Sequence, residues 1–579
     1  MSTNLSKQKR EDLLNKIEEI RKFLKTNLYD ENARKLMGYL GELTAQINGQ
    51  KYGLVFEEHK EAIDEKLENN LPVLTEEKDL FVGNGGEMNF LIEGDNLASL
   101  QLLEKTHKGK IDVIYIDPPY NTGNKDFIYD DDFVDSADSF RHSKWLSFME
   151  KRLRIARELL SEKGVIFISI DDNEQATLKI LCDEIFGENN FVGNYIWRKK
   201  YGGGQAVDYF STEHEYICVY RKTDQMFWRD ETVERSSKEF NHSDSNGIFK
   251  TTKLAKWGNT SRREDRPTMY FPITAPDNSD CFPIAPDGND GRWRIGKEKM
   301  KILEQNNLIH WEQKENKWIP YEKEYFIGQT KTIKDRSIIY EVAETGDGSN
   351  VLTEIFNTKD KFLNPKPVEI IAKLLKNVSE KSQSSTILDF FAGSGTTGHA
   401  VLKLNAEDGG KRKFILCTNN ENSICRDITY QRLKTVITGK RKDGSVYSDG
   451  LSGSLKYFKV DFVEITEKEY YEYADKLLLH VRELVELENA VNFSGNDKIA
   501  IVLTEKELEE FCKTLASIPL SNRSELEVSE RIRTAVSERS RTVYLGHDVL
   551  LSKGQKELFK KSGITIKIIP QYYYPELNG

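Results

Sequence analysis

Apolar residues at the start of the chain recur at the spacing of an amphipathic helix. They are Leu13, Ile17, Ile20 and Leu24 in a first segment and Leu36, Leu40 and Leu43 in a second. An apolar residue at every third or fourth position forms one continuous stripe on a helix. The pattern therefore predicts a small helical region over residues 1–60.

Short apolar runs then alternate with helical patterns, which is typical of a parallel sheet covered by helices on both faces. In residues 61–222 the predicted strands are 89–95, 113–116 and 164–170, with a helical pattern at 145–160. In residues 360–461 the pattern resumes at 368–375 and continues with predicted strands at 387–390 and 414–417. We therefore predict an α/β fold in which one sheet is assembled from two separate pieces of sequence.

The segment between these pieces, residues 223–359, is polar, aromatic and rich in turn signals such as Pro286-Asp287-Gly288. It is expected to be a separate insert. Residues 462–579 carry a helical pattern at 468–487, strand candidates at 498–503, 542–545 and 564–569, and another helical pattern at 505–515. This last region is predicted to be a small α/β domain.

The six cysteines are sparse, and none falls in a Cys-x-x-Cys pair. This spacing argues against a disulfide framework and against a zinc site, so we expect reduced thiols and no metal centre. No run of 18 apolar residues occurs, and the first ten residues lack the apolar core of a signal peptide. The sequence therefore predicts a cytoplasmic protein without a membrane-spanning segment.

Two motifs follow predicted strands, at the end of the sheet where α/β folds bind ligands. Residues 111–120 read Ile-Asp-Val-Ile-Tyr-Ile-Asp-Pro-Pro-Tyr, an apolar strand that runs into an acid, two prolines and an aromatic ring. Residues 386–399 run a second strand into the turn Ala392-Gly393-Ser394-Gly395 and then into a helical pattern. These glycines have neither the spacing of dinucleotide-binding folds nor that of phosphate loops. Each motif alone is also compatible with an ordinary turn that ends a strand.

The first motif resembles the amino-group clamp of DNA methyltransferases that modify exocyclic nitrogens, and the second resembles their S-adenosylmethionine loop. Their order resembles the β arrangement of adenine-N6 DNA methyltransferases, specifically the modification subunits of Type III restriction-modification systems. Further similar stretches are 121–123, 143–146, 164–174, 291–294, 364–367 and 453–458. The resemblance covers roughly residues 51–462. It implies a Rossmann-like S-adenosylmethionine-dependent methyltransferase sheet with an inserted target-recognition domain.

The resemblance also implies which residues form the site. The catalytic residues are expected to be Asp117, Pro118, Pro119 and Tyr120. The residues expected to bind the cofactor S-adenosyl-L-methionine are Asp95, Lys366, Pro367, Asp389, Phe391, Ala392, Gly393, Ser394, Gly395 and Glu421, with Phe362 and Asn364 in an additional cofactor segment. Asp95 has the alternative role of capping the helix that begins at Asn96. Glu421 follows the predicted strand 414–417, where an acid is placed to bind ribose hydroxyls.

The clamp has a chemical purpose, because the lone pair of an adenine amino nitrogen is delocalised into the ring. A carboxylate that accepts one amino hydrogen, with a main-chain carbonyl accepting the other, favours the pyramidal nitrogen needed for attack on a sulfonium methyl group. Asp117 is expected to be the first acceptor and the Pro118 carbonyl the second, held rigidly by the prolines. Tyr120 offers a ring on which an extruded base stacks. By resemblance, Asp at the first clamp position favours adenine over cytosine.

The insert, residues 223–359, is then expected to be the target-recognition domain that binds double-stranded DNA. The net charge of −10 is unfavourable for phosphate contacts, but only the face that meets DNA must be basic. Candidate basic groups are 198–200, Lys250, Lys253, Lys256, Arg262, Arg263, Arg266, Lys331, Lys334, Arg336 and 440–442. Trp257, Trp293 and Trp311 are candidates for base stacking, although a core position is the expected role of each. His142, His214 and His399 are candidates for a general base, but a hydrogen-bonded structural role is the expected one for each.

The resemblance implies a homodimer that associates with a restriction subunit bearing helicase and nuclease domains. Residues 462–579 are assigned to dimerisation or partner docking. Three alternatives stay open: an orphan methyltransferase without a restriction subunit, a DNA-recognition subunit without turnover, and a methyltransferase that acts on RNA or another amino-bearing substrate. Intact Asp117 and Tyr120 argue against the non-catalytic alternative, and the long insert favours duplex DNA over RNA.

Overall fold

The computed structural model describes the chain in blocks that together contain both motifs. They are residues 5–25, 35–37, 39–41, 43–44, 56–123, 128–129, 132–133, 138–202, 211–234, 236–326, 330–340, 342–359, 361–379, 384–465, 470–492, 499–517 and 542–574. The chain divides into two compact units, Met1–Arg229 with Arg336–Gly579, and Asp230–Asp335. Within the described blocks, no helix is both long enough and apolar enough to cross a membrane.

The first unit is built around a sheet of 11 strands. In chain order they are β1 (Asn70–Glu76), β2 (Val82–Gly83), β3 (Met88–Glu93), β4 (Ile111–Ile116), β5 (Leu160–Ile170), β6 (Phe191–Arg198), β7 (His214–Arg221), β8 (Ile338–Ile339), β9 (Thr386–Asp389), β10 (Lys413–Thr418) and β11 (Ser454–Glu464). Their order across the sheet is β1-β11-β3-β10-β9-β4-β5-β7-β6-β8, and β2 pairs with β11. The predicted α/β class with a large, mostly parallel sheet is confirmed.

The centre of the sheet interleaves the two pieces of sequence. The six strands from β11 to β5 are parallel to one another. At the two ends of this group, β1 and β2 are antiparallel to β11, and β7 is antiparallel to both β5 and β6. From β9 the chain continues to β10 on one side, and from β4 it continues to β5 on the other. The order of strands therefore reverses between β9 and β4. In open α/β sheets, ligands bind at the carboxyl ends of strands at such a reversal.

Successive residues of β4 point to opposite faces of the sheet, as the two-residue period of a strand requires. Ile114 and Ile116 pack in one apolar cluster, whereas Val113 and Tyr115 pack in the other. Helices cover both faces, and the α-helices described between residues 56 and 465 in the first unit are Ala62–Asn69, Asn96–His107, Arg141–Leu159, Gln175–Phe186, Thr345–Phe356, Val368–Val378, Thr396–Asp408 and Tyr430–Thr438. The near-continuous apolar character of the central strands follows from this burial on two sides.

The helical pattern at the start of the chain is confirmed by the helix Leu5–Lys25. Only half of its apolar stripe is buried, because Ile17 and Leu24 pack against Leu40 in a small cluster of their own. Leu13 and Ile20 are 49% and 48% exposed. The periodicity therefore identified the helix correctly but overstated how much of its stripe is covered.

The predicted strands near the end of the chain are confirmed as a parallel three-stranded sheet. Its strands are Ile499–Val502, Thr542–Gly546 and Thr565–Ile569. The single helical pattern at 468–487 is two helices, Tyr470–Leu478 and Val481–Asn489, and the remaining helices of this region are Glu505–Ser517 and Lys553–Lys561. The break contains His480, whose ring Nδ1 lies 2.9 Å from the Leu74 carbonyl of β1. A contact of this kind with the main sheet cannot be read from helical periodicity.

This last region is continuous with the core of the first unit. Tyr573 and Tyr574 belong to the same apolar cluster as the central strands. Glu488, at the end of the helix Val481–Asn489, accepts hydrogen bonds from three tyrosine hydroxyls and two lysines. They are Tyr544 and Tyr572 at 2.8 Å, Tyr573 at 2.7 Å, Lys567 at 2.9 Å and Lys110 at 3.1 Å. Lys110 directly precedes β4, so this carboxylate links the strands Thr542–Gly546 and Thr565–Ile569 to the central sheet.

The second unit, Asp230–Asp335, is shorter than the predicted insert of residues 223–359. Its strands are Glu231–Glu234, His242–Asp244, Gly247–Lys253, Ile273–Thr274, Asp280–Cys281, Ile309–Lys314, Lys317–Tyr325 and Thr330–Ile333, and its helix is Lys297–Gln305. Trp293, which is fully buried, lies at the centre of its small apolar cluster. After Asp335 the chain returns to the first unit, where β8 pairs with β6. Because the segment 223–359 is polar, the sequence gave no indication that its last residues, from 336 onwards, belong to the first unit.

We expect Glu488→Gln to lower the midpoint of urea unfolding at pH 7, by the equivalent of about 2 kcal/mol for hydrogen bonds to a charged group. Burial alone would raise the pKa of Glu488, but the tyrosine and lysine donors outweigh it and lower the pKa to about 2. A depressed carboxyl pKa stabilises the fold above the unfolded pKa, near 4.3, and this contribution disappears as the pH falls towards 2.

The difference between wild type and Glu488→Gln should therefore shrink as the pH falls from about 5 to about 3. Glu557→Gln, at an exposed position of the helix Lys553–Lys561, is the matched control and should unfold like wild type at every pH. A pH-independent difference for Glu488→Gln would contradict the role assigned to its charge.

Candidate active site

The two motifs meet at the carboxyl ends of β4 and β9, where the strand order reverses. Asp117 directly follows β4, and Asp389 is the last residue of β9. The two strands are adjacent and parallel, with Leu388 beside Ile114. Parallel neighbours end at the same edge of a sheet, so motifs that are far apart in sequence lie side by side in the structure. This edge is the candidate active site.

Several hydrogen bonds fix the Asp117–Tyr120 segment, including a 3.2 Å contact between the Tyr120 hydroxyl and Glu215 Oε2. The Tyr120 hydroxyl donates to Asp117 Oδ1 at 2.9 Å. The indole nitrogen of Trp145, from the helix Arg141–Leu159, donates to the Pro119 carbonyl at 2.7 Å. Since Trp145 occupies the Pro119 carbonyl, the carbonyl of Pro118 stays the predicted second acceptor. The Asp117 side chain is 28% exposed, which leaves it accessible to a ligand.

Lys366, which was predicted to bind the cofactor, contacts the catalytic motif. Its ammonium group lies 3.0 Å from Asp117 Oδ1, 2.9 Å from the Tyr120 hydroxyl and 3.2 Å from Glu215 Oε2. Glu215 also accepts a hydrogen bond from Lys199 at 3.0 Å. The structure therefore assembles a network of two carboxylates, two lysines and one tyrosine. We call Asp117, Tyr120, Glu215, Lys366 and Lys199 the clamp network.

Sequence reasoning missed Glu215 and gave Lys199 only a possible role at a DNA-binding surface. Glu215 lies near the beginning of β7, and that strand runs antiparallel to β5. The start of an antiparallel strand meets the carboxyl ends of its parallel neighbours, so Glu215 reaches the same edge as Asp117. A signal was present in the placement of an acid within the apolar strand His214–Arg221.

Burial and the charges of neighbouring groups of opposite sign shift the pKa values of the clamp network in opposite directions. Burial raises the pKa of Asp117, although Lys366 opposes that shift. Burial would also raise the pKa of Glu215, but Lys366 and Lys199 outweigh it and hold the pKa below its ordinary value. The pKa of Lys366 is raised because the two carboxylates outweigh the effect of its own burial. Lys366 and Glu215 therefore stay charged at neutral pH.

The loop after β9 is organised by the Asp389 carboxylate. Its Oδ1 accepts a hydrogen bond from the Phe391 backbone N–H at 3.0 Å, and its Oδ2 accepts one from the Thr397 hydroxyl at 2.5 Å. Gly393 and Gly395 have φ of +47° and +78°, a region that side chains with a Cβ rarely adopt. A Cβ at Gly393 would lie 3.2 Å from the Phe362 ring. The loop therefore turns tightly and presents its backbone at the sheet edge.

Arg432 is a second organiser of this loop, and the sequence gave no indication of it. Its buried guanidinium donates hydrogen bonds to the Ser394 carbonyl at 3.3 Å, the Ser394 hydroxyl at 3.1 Å and the Thr396 hydroxyl at 2.8 Å. Burial lowers the pKa of Arg432 to about 9.

Burial also affects Asp389, the other organiser of the loop. It raises the pKa of Asp389 to about 7, and the charge of Asp117 acts in the same direction.

Asp95 is found in its alternative role. Its Oδ1 accepts hydrogen bonds from the backbone N–H groups of Leu97 at 2.7 Å and Ala98 at 3.3 Å, which caps the helix Asn96–His107. Glu421 is exposed in a short turn of 3₁₀ helix after β10. Glu93, at the end of β3, was not predicted, and its buried carboxylate accepts a hydrogen bond from Arg426 at 2.9 Å. Cofactor contacts by Asp95 and Glu421 stay predictions.

The histidines considered as possible bases have structural partners. His142 Nδ1 lies 2.6 Å from the buried Glu174 carboxylate, and His214 Nε2 lies 3.1 Å from the Tyr216 hydroxyl. His399 is buried beside Arg432, and burial lowers its pKa well below the ordinary value. Asn121, which follows Tyr120, donates a 2.6 Å hydrogen bond to the same Glu174. This arrangement braces the end of the catalytic segment.

The sequence profile of a DNA methylase family, N6_N4_Mtase, matches residues 111–432. The match spans more than half of the chain and includes both motifs, the insert between them and Arg432. The chain belongs to the N6/N4 DNA methylase family. The resemblance inferred from the two motifs is thus confirmed at the level of the family.

Three relatives are similar to more than half of this chain. It is 38% identical over 385 residues to the Type III restriction-modification enzyme EcoPI Mod subunit of Escherichia phage P1, which covers 58% of each chain. It is 34% identical over 383 residues to the StyLTI Mod subunit of Salmonella typhimurium, which covers 61% of this chain and 56% of that one. It is 37% identical over 357 residues to the Type II methyltransferase M.KpnI of Klebsiella pneumoniae, covering 58% of this chain and 82% of that one.

The chain thus spans little more than half the length of the two Type III subunits that it matches. Its identity to the Type II enzyme, 37%, is almost the same as its identity to the EcoPI subunit, 38%. Identity alone therefore does not separate the two types.

Several of the candidate DNA-binding cations have carboxylate partners within the second unit. Lys250 lies 3.3 Å from Glu324, Arg262 lies 2.8 Å from Asp287, and Arg263 lies 3.1 Å from Asp290. Pairs on the surface contribute little to stability, so exchanging these carboxylates for other anions costs little. Trp293 is a core residue, as expected, whereas Trp257 is 60% exposed and stays a stacking candidate.

The position of Lys366 depends on a close contact between its segment and the helix Thr345–Phe356. A Cβ on Gly348 would overlap the Pro365 carbonyl, whereas a Cβ on Gly346, in the same helix, would meet nothing within 4 Å. We expect Gly348→Ala to destabilise the protein by about 1–3 kcal/mol, as overpacking usually does.

Gly346→Ala is the matched control, and we expect it to stabilise by about 0.5–1 kcal/mol because alanine favours the helix. Urea unfolding of both variants measures these effects. Equal effects of the two substitutions would contradict the close contact at Gly348.

Proposed function

We propose that this chain is a site-specific DNA methyltransferase that transfers a methyl group from S-adenosylmethionine to adenine N6 in a short recognition sequence. We further propose that it is the modification subunit of a Type III restriction-modification system. The observation that carries the proposal is the position of Asp117 at the end of β4, directly beside the Asp389 loop at the end of β9. Family membership supports the same reaction class.

The residues of the Asp389 loop fit an adenosine-bearing cofactor. The Gly393 and Gly395 backbone lies at the sheet edge without side chains, and a Cβ at Gly393 would enter the space beside the Phe362 ring. Phe391 is partly buried and offers an apolar surface next to this backbone. We propose that these residues, with Glu421 for the ribose hydroxyls, hold S-adenosylmethionine. When bound, the cofactor supplies an electrophilic methyl group on a positively charged sulfur.

The clamp residues prepare the nitrogen for attack. The ionised Asp117 carboxylate accepts one amino hydrogen of the target base, and the Pro118 carbonyl accepts the other. Both contacts draw the lone pair of the nitrogen out of the ring, and the hydrogen bond from Trp145 to Pro119 keeps the segment rigid. The Tyr120 ring provides the surface against which an extruded base stacks. No covalent enzyme intermediate is required.

Adenine is proposed as the target base because Asp117, rather than Ser, begins the tetrapeptide, a feature that resembles adenine-modifying members of the family. The second unit, Asp230–Asp335, is proposed to read the recognition sequence. Its lysines and arginines would contact phosphates, while its arginine, asparagine and glutamine side chains would contact base edges. Which sequence is read does not follow from these residues.

A restriction subunit is proposed as the partner because two of the relatives are Mod subunits of Type III enzymes. The region after residue 462, which packs into the central core through Tyr573 and Tyr574, is proposed as the surface for dimerisation or for that partner. On this proposal the isolated chain sediments as a dimer. The orphan alternative predicts that no neighbouring reading frame encodes a restriction subunit.

We expect cells that carry the wild-type chain to contain methylated adenine in one short motif, and cells that carry Asp117→Ala to contain none. Removing the carboxylate removes the acceptor for the amino hydrogen, so kcat should fall by at least about 100-fold while DNA binding is retained. Single-molecule sequencing that detects modified bases measures the mark. Asp449→Ala, at an exposed position, is the control and should methylate like wild type.

The other outcomes discriminate between the alternatives. Soluble wild-type chain that binds DNA and cofactor but leaves every adenine and cytosine unmodified supports the non-catalytic recognition subunit. A mark on cytosine N4 would overturn the choice of base. Preferential methyl transfer to structured RNA in direct competition with duplex DNA would favour the RNA-directed enzyme.

A further inference from the structure

The clamp network uses all the hydrogen-bonding capacity of one lysine. An ammonium group has three donors, and Lys366 Nζ lies within 3.2 Å of three oxygens, those of Asp117, Tyr120 and Glu215. Its side chain is only 11% exposed. A cofactor carboxylate would have to displace one of these contacts. Lys366 is therefore better placed to hold the carboxylate of Asp117 than to bind the cofactor.

Both hydrogen bonds on the Asp117 carboxylate within the described residues end on the same oxygen. Tyr120 donates to Oδ1 at 2.9 Å, and Lys366 reaches Oδ1 at 3.0 Å. A carboxylate held through one oxygen has its second oxygen fixed in direction, because the group is planar. Oδ2 is therefore the atom positioned to accept the amino hydrogen of a base.

We propose that Lys366 and Glu215 are positioning residues for methyl transfer: Lys366 anchors Oδ1 of Asp117, and Glu215 anchors Lys366. The proposal rests on the methyltransferase function proposed above, and it reassigns Lys366 from the cofactor to the clamp. Lys199, 3.0 Å from Glu215 Oε1, completes the set. The negative charges of two carboxylates and the positive charges of two ammonium groups then compensate one another in a largely buried site, as the burial of charged groups requires.

The charge balance has a chemical consequence, because the ionised form of Asp117 accepts an amino hydrogen more strongly than the neutral acid does. Lys366 favours that form, whereas Glu215, whose charge has the same sign as that of Asp117, disfavours it. The remaining titratable groups near the network are Tyr115 and Asp389, which interact with Asp117, and Asp171, which interacts with Glu215 and Lys199. Removing Lys366 and removing Glu215 must therefore shift the titration of Asp117 in opposite directions.

The test is the pH dependence of kcat/KM for methyl transfer to duplex DNA, measured with wild type, Lys366→Met and Glu215→Gln. The acidic limb of this profile reports the ionisation of the essential carboxylate in the free enzyme. Lys366→Met should move the limb to higher pH by on the order of one unit, and Glu215→Gln should move it to lower pH. At neutral pH, Lys366→Met should also lower kcat by at least about tenfold because Asp117 is no longer held.

Lys366→Arg keeps the positive charge and should keep the acidic limb near its wild-type position. Lys376→Met and Glu407→Gln, both at exposed positions of neighbouring helices, are matched controls and should leave the profile unchanged. Equilibrium dialysis with S-adenosylmethionine should show the same affinity for Lys366→Met as for wild type.

Shifts in the same direction, or no shift, would overturn the proposal while leaving the methyltransferase function intact. A loss of cofactor affinity in Lys366→Met with an unmoved acidic limb would return Lys366 to the cofactor site and also overturn it. If Lys366→Met does not fold, Glu215→Gln decides alone. An acidic limb at lower pH than in wild type supports the proposal, and an acidic limb at the same or a higher pH overturns it. Absence of any methyl transfer by wild type would instead refute the proposed function, and this inference with it.

Discussion

The parallel pairing of β4 with β9 is the constraint on which the candidate site depends. The two strands belong to different pieces of the chain, and Asp112 in β4 accepts a hydrogen bond from the backbone N–H of Thr386, 274 residues later, at 2.9 Å. Only this pairing brings Asp117 and Asp389 to the same edge. The chain leaves β4 and β9 on opposite sides, so the two connections diverge, and in open α/β sheets this divergence is where ligands bind.

The separation of these strands explains why the insert is tolerated. The sheet requires that β9 lie between β10 and β4, but it places no limit on the length of chain between β7 and β8. Loop closure costs free energy that grows only slowly with length. A compact unit such as Asp230–Asp335, with its own cluster around Trp293, can therefore occupy this connection while the central sheet remains paired.

The sequence was informative wherever a side chain's role follows from its own segment. The alternation of apolar runs predicted β4, β5, β9 and β10, and the motifs located Asp117 and Asp389 because each directly follows its strand. Glu215, Arg432 and Glu488 were not predicted, since each acts on residues that are distant in sequence. Gly348 is similar, because nothing in its helix indicates the carbonyl of Pro365 that excludes a side chain. Long-range contacts of this kind leave no local periodicity.

The clamp is consequently a property of three segments rather than of the Asp-Pro-Pro-Tyr tetrapeptide. Asp117 and Tyr120 follow β4, Glu215 begins an antiparallel strand, and Lys366 precedes the helix Val368–Val378. A buried carboxylate without a counterion is protonated rather than charged. Without Lys366, the pKa of Asp117, which burial already raises, would rise further, and the acid would be a weaker acceptor of the amino hydrogen. The lysine supplied by the second piece of the sequence is what makes the acid of the first piece a usable acceptor.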